Sequence, residues 1–145
     1  MIRKNGFTLI EVLAVIVIAG ILFSIGAAMV QTTIMISRHD AFLATAHSLE
    51  EAARQYAYHR QIGKDHTDLV TYTELIHEGL IEKVKDPYTG ELFEDHNSSY
   101  IRYQNKEPLS ICLKGYTHEI CGESGNEGLP FSLLSREKIA EVESF

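Results

Sequence analysis

No glycine occurs between Val30 and Gly63, and the first proline of the 145-residue chain is Pro87. The two residue types that most readily break a helix are therefore missing from the stretch after the N-terminal apolar run. Lysine and arginine are absent between Lys4 and Arg38. Across the whole chain 13 basic residues face 20 acidic ones, a formal charge of -7, which argues against a phosphate-binding surface and so against direct nucleic-acid contact. Cysteine is limited to Cys112 and Cys121, with no CxxC pair to frame a zinc site. There is no nucleophile elbow, phosphate loop, HExxH or paired-carboxylate motif, and nothing points to an enzyme. No internal repeat is visible, and the length leaves room for one domain plus an appendage.

Residues 7–30 are 24 residues in which Glu11 is the only ionisable side chain and Thr8 and Ser24 the only other polar ones. About 20 apolar residues suffice for a helix to cross a bilayer. Arg3 and Lys4 precede the run, so the positive-inside rule keeps residues 1–6 cytoplasmic and places the rest of the chain outside. A cleavable secretory signal would have an apolar region of about 7 to 15 residues and then a small-residue site. Here the run is longer and is followed by "QTT". An ordinary single-pass anchor satisfies the hydropathy but leaves Glu11 unexplained, since a charge at the bilayer centre costs about 2.5 to 3.5 kcal/mol.

"RKNGFTLIEVLAVIVIAGIL" resembles the N-terminal signal of type IV pilins and of the pseudopilins of type II secretion and competence systems. In that family a short basic leader ends in Gly, Phe follows, and a Glu stands four residues further on in the hydrophobic stretch. The resemblance covers about residues 3 to 30. It implies that a membrane aspartyl peptidase cuts between Gly6 and Phe7, that the new Phe7 amine is methylated, and that Glu11 is the family's acidic residue. The cationic amine of Phe7 would then meet Glu11 of a neighbouring subunit, or its own Glu11 four residues away. Pairing removes much of the desolvation cost that either charge bears alone. Loss of Arg3 and Lys4 takes the formal charge from -7 to -9, leaving an acidic exported body.

The implied fold is α+β, type IV pilin-like: a long N-terminal spine helix packed on a small antiparallel sheet. The divisions expected are a leader at 1–6, a transmembrane or filament-core half-helix at 7–30, an exported head at 31–122, and a flexible tail with a short helix at 123–145. Phe42, Thr45 or Ala46, Leu49, Ala52 with Ala53, and Tyr56 recur at helical steps and give the helix one buried face as far as about Tyr58. Where many pilins carry a proline, this chain has Ala28, leaving Gly20 and Gly26 as the weak points of the helix, each about 1 kcal/mol less favourable than Ala.

"GKDHTD" at 63–68 reads as a loop. Thr71 and Glu74 have capping-box spacing, which predicts a short second helix from Tyr72 to Glu78 ended by Gly79. "DPYTG" predicts a turn, and "DPYTGELF" is similar to a segment of pilin-like proteins of Gram-positive bacteria. Strands are predicted at 99–104, 109–114 and 117–122. With Tyr116 and Thr117 as a two-residue loop, Lys114 faces Glu119 and Cys112 faces Cys121 at disulfide distance. With Lys114 and Gly115 as the loop that pairing fails, and two separate thiols remain the other reading. From Ser135 a short helix would gather Leu134, Ile139 and Val142.

Asp86, Glu91, Glu94, Asp95 and Asn97 form an oxygen-rich stretch that is a weak calcium candidate, without EF-hand order; no cofactor is otherwise expected. The seven histidines, His39, His47, His59, His66, His77, His96 and His118, lack a repeated ligand spacing and read as solvated. The tyrosines read as core-packing rings. The expected protein is a non-enzymatic filament subunit. Its partners would be its own copies and other pilin-like subunits, the prepilin peptidase, and a membrane assembly platform with its ATPase. The alternatives are a secretion or competence pseudopilin and, from another class, a membrane-anchored binding module that never polymerises.

Overall fold

A computed structural model describes residues 7–60, 68–122 and 127–142, apart from the side chains of residues 27, 28 and 60. Gly6 and most of the loop expected at 63–68 lie outside the described residues. Two compact units divide between Ser37 and Arg38.

In the first unit, helix α1, Leu9–Arg60, begins as the absence of proline and the apolar run dictate. The Thr8 carbonyl accepts from the Glu11 and Val12 amides at 3.1 and 3.3 Å. Large apolar side chains from Leu9 through Ile36 are exposed. Ser24 Oγ donates to the Gly20 carbonyl at 2.8 Å and Thr33 Oγ1 to the Met29 carbonyl at 3.0 Å. Two of the few polar side chains of this stretch thus consume their own hydrogen-bonding capacity one turn back, as an apolar environment requires. By length and composition this helix is able to cross a membrane.

In the second unit the same helix turns amphipathic. Phe42, Thr45, Ala46, Leu49, Ala52, Ala53 and Ala57 are buried. Four alanines on this face bring the helix close to the sheet, and the larger rings and branched chains come from the other side: Val70, Tyr72, Leu75, Phe93, Ile101, Tyr103, Ile111, Leu113, Ile120 and Leu129. Tyr103 Oη donates to the Ala53 carbonyl at 2.7 Å, tying the sheet to the helix backbone.

Strand β1, Leu69–Thr71, leads directly into α2, Tyr72–His77. The Glu74 amide donates to Thr71 Oγ1 and the Thr71 amide donates to Glu74 Oε2, which is the capping box the spacing predicts. At the other end Gly79 has φ +69°, its amide donates to the Ile76 carbonyl and the Leu80 amide to that of Leu75. This Schellman pattern is open to glycine because a Cβ disfavours positive φ.

The sheet continues with β2, Tyr100–Gln104, β3, Glu107–Lys114, β4, His118–Ile120, β5, Leu129–Pro130, and β6, Ala140–Glu141. All pairings are antiparallel, in the order β1-β2-β3-β4-β6, with β5 also on β3. Asn105 and Lys106 both have positive φ, the signature of a two-residue hairpin loop between β2 and β3. Leu113 faces Ile120 and Lys114 faces Glu119, and the Gly115 amide donates to the His118 carbonyl. The loop is therefore Tyr116 and Thr117.

The C-terminal residues depart from expectation. In place of an α-helix from Ser135 there are single 3-10 turns at Phe131–Leu133 and Arg136–Lys138 and two short strands. Leu129 pairs with Ile111 and Ala140 with Glu119, and Arg136 makes a two-pronged ion pair with Asp40 of α1 at 2.5 and 2.7 Å. Residues 129–142 are thus part of the sheet and its strap, because unpaired edges of β3 and β4 offer backbone hydrogen bonds that a helix of about two turns does not match.

Candidate functional site

Glu11 stands in the first turn of α1, exposed, among Leu9, Ile10, Val12 and Leu13, which are exposed as well. Among the described residues nothing pairs with its carboxylate. Phe7 precedes the helix and is 78% exposed. A lone carboxylate on an otherwise apolar helix surface is costly to take out of water unless a cation or a proton neutralises it. The segment around it holds no Lys or Arg between Lys4 and Arg38.

The predicted oxygen-rich stretch does not converge. Asp86 is fully buried and both its oxygens are occupied: Oδ1 accepts from the amides of Tyr88 and Thr89 at 2.7 and 3.4 Å, Oδ2 from that of Tyr116 at 2.7 Å. Asp95 pairs with Lys83 at 2.6 Å, which holds its carboxyl below the usual range through hydrogen bond and charge together. Glu94 pairs with His96 at 2.7 Å. Asn97 donates to the Lys114 carbonyl and accepts from Ser99. Glu91 is exposed. Among the described residues no three His, Cys, Asp or Glu side chains gather as metal donors.

Asp86 is the residue that the sequence signalled least well. "DPYTG" announced a turn, and Gly90 indeed has φ +79° with its amide on the Asp86 carbonyl at 2.7 Å. The reach of its carboxylate to Tyr116, 30 residues away, has no local signal. It also explains Gly115, where a Cβ would stand 2.7 Å from Asp86 Oδ2 and 2.8 Å from the His118 carbonyl.

Cys112 and Cys121 form a disulfide, their Cα atoms 4.2 Å apart. Cys112 lies where one edge of β3 exchanges partners, from β4 at Leu113 to β5 at Ile111. The bond fixes the end of β4 at that exchange.

One histidine contradicts the solvated reading. His118 is 9% exposed and its ring lies flat on Tyr88, centroids 3.6 Å apart and planes at 6°. Period-2 alternation with Ile120 would have placed it inward, and its polar character masked that signal. Most of the tyrosines pack as read, with Tyr72 and Tyr103 buried and Tyr56, Tyr88 and Tyr100 half-buried, although Tyr58 is 76% exposed.

A long N-terminal helix and a small antiparallel sheet make this an α+β, pilin-like fold. The prokaryotic N-terminal methylation motif, the signal of type IV pilins and pseudopilins, matches residues 1–27. No curated protein and no solved structure matches the chain. The motif supports a pilin-like precursor, and the apolar helix behind it is long enough for a single membrane span.

Proposed function

We propose that this chain is a prepilin cut between Gly6 and Phe7, methylated on the new Phe7 amine, and polymerised through residues 7–30 into a pilus or pilus-like filament. The head, residues 38 onward, lies on the outer side of the membrane and carries no catalysis. The prepilin peptidase processes the precursor and a membrane assembly platform extracts it. In the filament the Phe7 amine of one subunit meets Glu11 of another, a charge pair that sets register because either charge alone is costly in an apolar core.

The observation that carries this reading is the methylation motif, residues 1–27, falling on an apolar stretch, residues 7–30, whose only ionisable side chain is Glu11, exposed and unpaired among the described residues. A secretion or competence pseudopilus uses the same chemistry. Replacing Glu11 by Ala removes the pairing partner while making the helix more apolar. Assembly into sedimentable filaments is expected to fall at least tenfold, with membrane insertion and peptidase cutting retained. Unimpaired assembly by Glu11→Ala would overturn the pairing of Glu11 with the Phe7 amine, whereas a wild type that never sediments as filaments, with function intact in Glu11→Ala, would favour the anchored module.

A further inference from the structure

The C-terminal strap crosses a cluster of titratable rings. His118 and Glu141 are partners in the β4–β6 ladder, with His118 Nε2 4.0 Å from Glu141 Oε1. The inner face of the His118 ring lies on Tyr88, and His39 of α1 stands 6.2 Å from His118 and 5.8 Å from Tyr88, centroid to centroid. Thr117 Oγ1 is 2.9 Å from His118 Nδ1. The Val142 amide closes the strap onto the Thr117 carbonyl at 2.9 Å.

We propose that His118, His39 and the strand carrying Glu141 form a proton-operated latch, closed while His118 is neutral and released from β4 when the surroundings turn mildly acidic. A proton on His118 places a charge in a ring site closed on one side by Tyr88, with a second histidine nearby. Opening β6 returns the ring to water without disturbing the β2–β3 core.

The charges facing His118 from each packed element decide the direction. From α1 come His39, which repels when charged, and Arg38, whose charge bears on Tyr88; Asp40 is engaged by Arg136. From the turn comes Asp86, which favours the cation but already holds three amides. On β4 itself Glu119 lies opposite Lys114. From β6 comes Glu141, which also favours the cation but is 83% exposed and so screened by water. The face of Tyr88 adds a cation–π attraction. Burial outweighs these attractions and lowers the His118 pKa below its ordinary 6.5. The folded value therefore lies under the unfolded one, so the stability owed to neutral His118 is complete above about pH 6.5 and is lost as pH falls from there through the folded value.

Amide hydrogen exchange of the full chain in detergent micelles at pH 7.5 and 5.0, corrected for intrinsic rates, reads the latch directly. Protection of Val142 and of residues 118–120 is expected to drop at least tenfold more than that of Ile111 and Ile101. His118→Phe keeps a ring on Tyr88 without a proton site and is expected to abolish that excess. Glu141→Gln removes the counter-charge and is expected to enlarge it. An absent excess in the wild type, or an equal one in His118→Phe, would overturn the latch. Should His118→Phe fail to fold, Glu141→Gln decides, an unchanged or smaller excess counting against it.

Discussion

Asp86 joins two loops through one carboxylate, and its burial makes the cost of losing it calculable. Asp86→Ala leaves the amides of Tyr88 and Tyr116 without their acceptor. Hydrogen bonds to a charged group contribute about 1.5 to 3 kcal/mol each net, and the loops can relax toward water. A loss of about 3 kcal/mol is expected in denaturant titration of the full chain in detergent. A change below 1 kcal/mol would show that the carboxylate does not organise these loops. Tyr103→Phe removes only the bond to the Ala53 carbonyl, and the same titration should register about 1 kcal/mol. Burial also raises the pKa of the Tyr103 phenol, and that of Tyr88 to about 12, so neither hydroxyl ionises in ordinary buffers. At this scale the sequence spoke unevenly. Glu11 was conspicuous because it is the only ionisable side chain of residues 7–30, whereas His118 was hidden because its polar character masked its alternation with Ile120.

Helices α1 and α2 were legible because their signals are local. Thr71 and Glu74 sit three residues apart, and Gly79 follows at the one position where positive φ is needed. Thr71→Ala should lower stability by about 1 kcal/mol, the usual cost of an N-cap, detectable as a lower thermal midpoint of the α2 signal. Of the two loops the sequence left open between β3 and β4, Tyr116–Thr117 is the one formed, and fixing that one pair fixes every other. Strands β1, β5 and β6 were not foreseen. Each has two or three residues, and each exists because a neighbouring edge is free, which is information held by residues far away in the chain. The hairpin loop at Asn105 and Lys106 was also missed, because lysine at positive φ is uncommon outside such turns.

Taken whole, the molecule divides its tasks between an exposed apolar helix segment and a head with its own core and disulfide. A bond closing so short a loop stabilises by on the order of 2.5 to 3 kcal/mol in the chain-entropy description. Reduction of Cys112–Cys121 should lower the unfolding midpoint of the head by about that much, with the far-ultraviolet spectrum of α1 retained below the transition. A midpoint that does not move on reduction would show that the β3–β4 hairpin and the strap hold the head without it.

The central claim is that Glu11 exists to meet an amine that processing creates. Mass spectrometry of the intact chain isolated from its native membrane tests it most directly. The account predicts a chain that begins at Phe7 with one added methyl group on its amine. A chain that still begins at Met1 in cells with an active prepilin peptidase would contradict it, leaving Glu11 without the partner on which the filament reading depends.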